Sequence, residues 1–384
     1  MSQFIFETVP KIVCEQGAAA RLGEIARQLN VSHLYLVTDR FLLDSGLLAG
    51  ALESLQAAGV QATVFADVLA DPPETSVLAA VEQARAAGID GVVGFGGGSS
   101  MDTAKLVALL VKTAQALHDI YGVGLARGPR LPLIQVPTTA GTGSEVTAIS
   151  ILTTPASEKK GVVSSFLYPD VALLDSLLTL GLPARVTAMT GVDAMVHAIE
   201  AYTTRHKKNP LSDALAVRAL TMLFNNIGTV IKNGADAGAR EAMLLGSLFA
   251  GMAFANAPVA AVHALAYPLG GHYHLPHGLT NALMLVPVLE FNRPASTSLY
   301  AELGRAILPG RSFAGHDEAA DAFIDAMRTL VAEMPFEHTL KSAGVPEADL
   351  EMLAQDAMNV QRLLVNNPRD VGYDDALAMY RAVY

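Results

Sequence analysis

Between residues 32 and 139, short β-branched runs alternate with longer amphipathic ones, and the alternation stops near residue 180. "SHLYLVTD" (32–39) reads as a strand, and "LLAGALESLQAAG" (47–59) as a helix ending at Gly59. "QATVFA" reads as a strand, "ETSVLAAVEQARAAG" (74–88) as a helix, and "DGVVGFGGG" as a strand running into glycines. A helix over 100–111 and a strand over 131–139 follow, with extended pieces near 148–154 and 171–174. Such alternation predicts a parallel sheet with helices on both faces. From about Pro183 the pattern is helical, with long Ala- and Met-rich segments such as 211–231 and 238–255. The 384 residues exceed what one ordinary core holds. The expectation is a Rossmann-like α/β domain over 1–180 and an all-α domain over 181–384, with the boundary in Leu177–Pro183.

Composition excludes several partners. The formal net charge is −11 and Lys and Arg form no run, so nucleic acid is not expected. The start, "MSQFIFETVPKIVCEQG", lacks the basic and apolar regions of a signal peptide. No uninterrupted apolar run has bilayer-spanning length, so no membrane partner is expected. One cysteine, Cys14, rules out an internal disulfide framework and fits a reducing cytoplasm, with a buried, small-hydrophobe role for its side chain.

Two glycine- and hydroxyl-rich loops follow consecutive expected strands. "GFGGGSSMDTAK" (94–105) joins a strand to a helix whose first N–H groups can hold an anion. Ser99 and Asp102 also make an S-x-x-D capping pattern. The loop is not G-x-G-x-x-G, so a pyrophosphate site and a tight corner both remain open. "PTTAGTGSE" (137–145) offers Thr138, Thr139, Thr142 and Ser144 to phosphate or ribose, or forms a hydroxyl-rich turn. Ligands of open α/β sheets bind beyond the carboxyl ends of the strands. Asp39 ends an early strand, where an acid can accept from a ribose 2′-hydroxyl and repel a 2′-phosphate, favouring NAD over NADP. It can equally cap the segment beginning "RFLL".

In "TGVDAMVHAIEAY" (190–202), Asp193 and His197 lie four residues apart and so share a helix face. Either they form a hydrogen-bonded core pair or they begin a metal site. Further ligands are available in "VHALAYPLGGHYHLPHG" (262–278). His263 falls in a helical pattern that Pro268 and two glycines interrupt, and His277 sits in "LPHG", able to fold back toward His263. One carboxylate and three imidazoles suit Fe, Zn, Ni or Co. His272 and His274 read as surface residues.

Together "GGGSSMDTAK", "PTTAGTGSE", "GVDAMVHAIEAY", "NAPVAAVHALAYPLGGHYHLPHG" and "NNPRD" resemble the iron-containing (group III) alcohol dehydrogenases, in order and over essentially the whole chain. The resemblance implies hydride transfer between NAD and an alcohol or carbonyl at one divalent metal, usually Fe(II), with zinc as another candidate. By motif position the ligands are Asp193, His197, His263 and His277. NAD would lie over Gly97, Gly98 and Ser99, with Thr138, Thr139, Thr142 and Lys159 about it and Asp39 selecting against NADP. We also assign Asp102 and Ser144 to the cofactor loops, and Phe254 and Ile149 to the substrate pocket. A cleft between the domains, and a homodimer or higher homo-oligomer with an N-terminal strand exchanged from "FIFETVPKIVCEQG", are further implications.

The chain departs from that pattern at three points. Tyr267 stands where many alcohol-oxidising members have a histidine used in proton relay. A tyrosine hydroxyl can exchange hydrogen bonds there but ordinarily stays protonated near neutral pH. Asp71, in "ADPPE", replaces an asparagine, and Ile149 a polar residue of some members. Maleylacetate reductase and hydroxyacid–oxoacid transhydrogenase are alternative activities. A dehydroquinate synthase-type lyase would need a Lys and Arg cluster for a phosphorylated substrate, and the second half offers only "RHKKN" (205–209).

Overall fold

The computed structural model describes residues 3–155 and 158–384. It divides into two compact units, Thr8–Gly181 and Met1–Glu7 with Leu182–Tyr384.

The first unit is built on strands β1 (Lys11–Cys14), β2 (His33–Val37), β3 (Gln61–Phe65), β4 (Gly91–Gly96), β6 (Leu133–Pro137) and β9 (Val171–Leu174). They form one six-stranded sheet in the order β1-β9-β6-β4-β2-β3, and every pairing is parallel. The central strands are buried and mostly apolar because both faces are covered, and the buried polar exception, Gln135 of β6, donates to Met101 O at 2.9 Å. Period-two alternation sorts their side chains. Tyr35, Val37, Val92 and Leu133 pack with α4 (Glu74–Ala87) and α5 (Gly98–Lys112). Leu34, Leu36, Val93, Phe95, Ile134 and Val136 pack with α1 (Leu22–Gln28) and α3 (Ala49–Ala57). The short α2 (Arg40–Asp44) follows β2.

A second sheet joins β5 (Gly122–Val123), β8 (Lys159–Val163) and β7 (Ile149–Thr153), with β5 parallel and β7 antiparallel to β8. β8 escapes a hydropathy reading because its first residues are Lys159, Lys160 and Gly161. β1 lies at the sheet edge against β9 of its own chain, with Lys11 opposite Val171 and Cys14 opposite Leu174. Cys14 is exposed there, which corrects the expectation that it is buried.

The second unit contains α6 (Ala184–Thr203), α7 (Pro210–Lys232), α8 (Ala237–Asn256), α9 (Ala261–Tyr273), α10 (His277–Ile307) and α11 (His316–Ala332). Three short helices, α12 (Leu350–Ala357), α13 (Gln361–Leu364) and α14 (Tyr373–Ala382), complete it. α6 is buried nearly throughout, packed by α7, α8 and α10, and carries Asp193, His197 and Glu200 among its apolar residues. α7 is long and apolar enough to cross a membrane, with mean hydropathy 1.4, contrary to the expectation that no segment would be. It carries Asp213 and Arg218 and packs against α6 and α8. Pro268 does not interrupt α9 as expected. A proline removes one ladder bond, and the buried face through Leu265 and Leu269 carries the helix past it. The helix ends instead at His274, in left-handed conformation.

Candidate metal centre and cofactor loops

Asp193 and His197 lie one turn apart on α6, His263 in the first turn of α9, and His277 at the first position of α10. One ligand atom from each lies within 4.8 Å of all the others. His197 Nε2 and His263 Nε2 are 3.1 Å apart, and Asp193 Oδ1 is 3.7 Å from His277 Nε2. Atoms sharing one ion at about 2.1 Å lie about 3.4 Å apart in a tetrahedral set. Asp193 Oδ1 and His197 Nε2 are 4.0 Å apart, too far for the hydrogen bond that a core pair would need. The metal reading of that stretch is therefore favoured.

Glycine permits this convergence. A Cβ on Gly278 would lie 2.4 Å from the Met189 carbonyl oxygen, so α10 starts closer to α6 than any side chain would allow.

Proton placement also fits a cation. His263 Nδ1 donates to Glu200 Oε2 at 2.6 Å, and Val262 N donates to Glu200 Oε1 at 2.7 Å. This leaves the His263 Nε2 lone pair facing the cluster. Asn281 Nδ2 lies 2.5 Å from Asp193 Oδ1 and 3.2 Å from the Nε2 atoms of both His263 and His277. Burial alone would raise the Asp193 carboxyl, but His197, His277, His263 and the Asn281 donor hold it below the usual carboxylate range. Convergent lone pairs around a depressed carboxylate suit a hard or borderline divalent ion.

Phe254 stacks on His197 with centroids 4.3 Å apart. Tyr267 meets His263 edge-on at 6.5 Å and His277 at 6.1 Å. His272 is exposed and pairs with Asp356 at 2.7 Å, and His274 is exposed at the end of α9, so neither joins the cluster. Sequence reasoning missed Glu200 and Asn281, although each stands on a ligand's own helix, three residues after His197 and four after His277.

In the α/β unit, Gly97 precedes α5 and Gly98 and Ser99 begin it. A Cβ on Gly98 would come 2.9 Å from the Thr142 methyl, and one on Gly97 would reach Thr139 at 3.7 Å. The two loops thus meet across glycines, and Gly97, Gly98 and Ser99 at the helix start stay half-buried, where free backbone N–H groups suit an anion. Thr138 N donates to Gly96 O at 3.0 Å and ties the second loop to the first.

Asp102 and Ser144 join the two loops to each other. The Ser144 hydroxyl donates to Asp102 Oδ1 at 2.6 Å, and Ile151 N donates to Asp102 Oδ2 at 2.8 Å. The anticipated Ser99–Asp102 cap is absent, because the N-cap is Gly97 and the carboxylate is turned toward the second loop. Lys105 is completely buried and donates to Ser144 Oγ at 2.8 Å, Thr147 Oγ1 at 3.1 Å and Ile149 O at 2.6 Å. Burial lowers its pKa, against the pull of Asp102 and Glu145. Burial likewise lifts the Glu145 carboxyl to about 7, opposed by its own backbone N–H and by Lys105. These groups brace the loops.

Asp39 accepts from Leu42 N at 2.9 Å and caps α2. Lys159 pairs with Asp71, whose φ of 50° lies in the left-handed region that aspartate and asparagine both tolerate. This accounts for their exchange at that position. Ile149 is half-buried at the start of β7.

A parallel sheet with a glycine cradle, together with a helical unit carrying one carboxylate and three imidazoles, defines a metal-dependent nicotinamide oxidoreductase. Residues 10–176 match the iron-containing alcohol dehydrogenase family, and residues 187–384 match its C-terminal region. The chain belongs to that family. It is 39% identical over 378 residues to the Escherichia coli protein named "Probable alcohol dehydrogenase EutG", covering 98% of this chain and 94% of that one. The crystal structure of a 1,3-propanediol oxidoreductase superposes with TM-score 0.96 at 32% identity, covering all of both chains. A sulfoacetaldehyde reductase from Bifidobacterium kashiwanohense, solved with NAD+, superposes with TM-score 0.90 at 30% identity, covering 100% of this chain and 99% of that one.

Proposed function

We propose that the protein interconverts small alcohols and aldehydes with NAD(H), using one divalent metal held by Asp193, His197, His263 and His277. The convergence of these four ligand atoms within 4.8 Å carries the reading. Family membership favours it over the reductase, transhydrogenase and lyase alternatives, and favours iron and NAD as cofactors.

When bound, the metal supplies Lewis-acid polarisation of a substrate oxygen and NAD supplies the hydride acceptor. The chain's own residues prepare both. Glu200 fixes the His263 tautomer, and Asn281 holds the Asp193 carboxylate. Phe254 lies flat on His197, excluding water and fixing the ring plane. Tyr267 borders the exposed ligand His277 and can pass hydrogen bonds to a substrate hydroxyl. We assign the phosphates of NAD to the backbone of Gly97, Gly98 and Ser99, with Thr138, Thr139 and Thr142 alongside. Asp39 and Lys159 are assigned to the ribose, the acid disfavouring a 2′-phosphate. Ile149 is assigned to the substrate pocket with Phe254.

We place the enzyme in the cytoplasm, without membrane or nucleic-acid partners, on its charge and single cysteine. A homodimer is supported by the exposed Phe4 and Ile5, on a stretch whose inner end is fixed where Glu7 N donates to Asn256 Oδ1 at 2.8 Å.

The test is nicotinamide absorbance with metal-stripped enzyme, NAD and a panel of primary alcohols, diols and hydroxy acids, adding Fe(II) or Zn(II) separately. Metal-dependent NADH formation is expected. No turnover across the panel, with NAD still bound, would overturn the dehydrogenase reading.

A further inference from the structure

One cation near the metal cluster has no role in the chemistry above. Arg362 lies on the four-residue helix α13, anchored from below by buried Leu363 and Leu364. Asn366 Nδ2 donates both to Arg362 O at 3.1 Å and to Val259 O at 3.0 Å, just ahead of α9. The same side chain thus ties Arg362 to the segment that leads into His263. The Arg362 guanidinium carbon sits 5.7 Å from the centroid of the Tyr267 ring, and its Nη2 is 3.5 Å from the Tyr267 hydroxyl. That ring in turn touches His263 and His277. Among the ligands, His277 alone is open to solvent, its side chain 40% exposed against 3–6% for the other three. Arg362 is therefore one aromatic ring from the open side of the cluster. Among the described residues it makes no ion pair, and its side-chain contacts are with Tyr267.

We infer that Arg362, set against Tyr267, is a specificity-determining residue that receives an anionic end of the substrate, so that the preferred substrates are short aldehydes and alcohols bearing a carboxylate or sulfonate. The inference rests on the dehydrogenase reading and deepens it. A planar guanidinium with two N–H edges matches a carboxylate or sulfonate better than any other side chain does. Packing on an aromatic face holds the fork in place, so less freedom is lost when the anion arrives. The tyrosine hydroxyl beside Nη2 supplies a further donor. With the reacting end of the substrate at the ligand cluster, its charged end can meet Arg362 one aromatic ring away. A neutral alkyl chain would gain nothing from that cation.

The experiment uses the Fe(II)-loaded enzyme with NADH and compares kcat/KM for succinic semialdehyde and sulfoacetaldehyde with that for butanal. The wild type is expected to prefer the anionic aldehydes. In Arg362→Ala the anionic-to-neutral ratio should fall roughly 10- to 100-fold, mainly through KM, the size of a lost hydrogen bond to a charged group. Arg362→Lys should recover part of the ratio. A separate readout is inhibition of butanal reduction by ethanesulfonate and propionate, which should weaken in Arg362→Ala in the same proportion. A larger loss for one anion than the other identifies which headgroup the site favours. If Arg362 merely packs on Tyr267, both aldehyde classes and both inhibitors would respond alike, and an unchanged ratio overturns this inference alone. Failure of the wild type to reduce either class overturns the dehydrogenase reading, and this inference with it.

Discussion

A histidine offers a lone pair to a metal only if its proton is held elsewhere. At His263 that duty falls to Glu200, which accepts from Nδ1 at 2.6 Å inside a buried site. Removing the acceptor's charge while keeping its shape should loosen the metal more than the fold. Glu200→Gln is expected to lower metal affinity about 10- to 100-fold. Competition against a chromophoric chelator measures this, with the circular dichroism unchanged. Unaltered affinity would assign Glu200 to anchoring Val262 N alone. The four converging side chains were legible because helical spacing makes Asp193 and His197 neighbours and the motif resemblance points to His263 and His277. Glu200 and Asn281 were not, although both lay within or beside the motifs. Their roles depend on α9 and α10 meeting α6, and no local pattern encodes that approach. The glycine that permits it, Gly278, was visible, but the Met189 carbonyl it must clear was not.

At the level of elements, the alternating runs placed β2, β3, β4, β6, β7 and β9 and the long helices, because each buries a periodic apolar face. β8 fell outside that logic, and so did the continuation of α9 through Pro268, where packing outweighs one lost bond. The bracing between the two cofactor loops was equally unreadable, since Lys105 looks like a solvated helix residue and is completely buried. Beside it, on the turn Ser144–Val146, Glu145 has its carboxyl lifted to about 7 by burial. The folded chain thus binds a proton that the unfolded chain, with an ordinary carboxyl, releases near pH 4.3. Its contribution to stability is fully present below that value and is lost as pH rises toward 7, by up to about 3 kcal/mol. Glu145→Gln is isosteric with the protonated form. The variant should match the wild type in urea midpoint at pH 4 and exceed it at pH 7.5. A difference that does not change with pH would mean the carboxyl is ionised throughout.

For the whole molecule, two units with separate cores hold two separate kinds of site. The α/β unit has its glycine loop at residues 97–99, and the helical unit has the four converging side chains that could hold a metal. Sequence periodicity separated the two halves because a sheet covered on both faces and an all-helical core use different apolar periods. It did not show that Met1–Glu7 groups with the helical unit, since the tie there is a pair of hydrogen bonds between the Glu7 backbone and the Asn256 amide. The division predicts where each ligand is felt. A ligand that binds only the folded form slows local opening by up to its concentration over Kd, about 100-fold at a hundred times Kd. Hydrogen exchange read by mass spectrometry should therefore slow at residues 261–265 and 277–281 when Zn(II) is added to stripped enzyme. NAD added alone should instead slow 97–100 and 138–142. The first turns of α9 and α10 respond to the ion because His263 and His277 sit there, where N–H groups lack helical partners. The loops respond to NAD because its phosphates would engage their N–H groups directly. Protection by zinc at 97–100 with none at 261–281 would mean that the four ligands do not hold the ion. Protection by NAD that leaves both loops untouched would remove the dinucleotide from the glycine cradle.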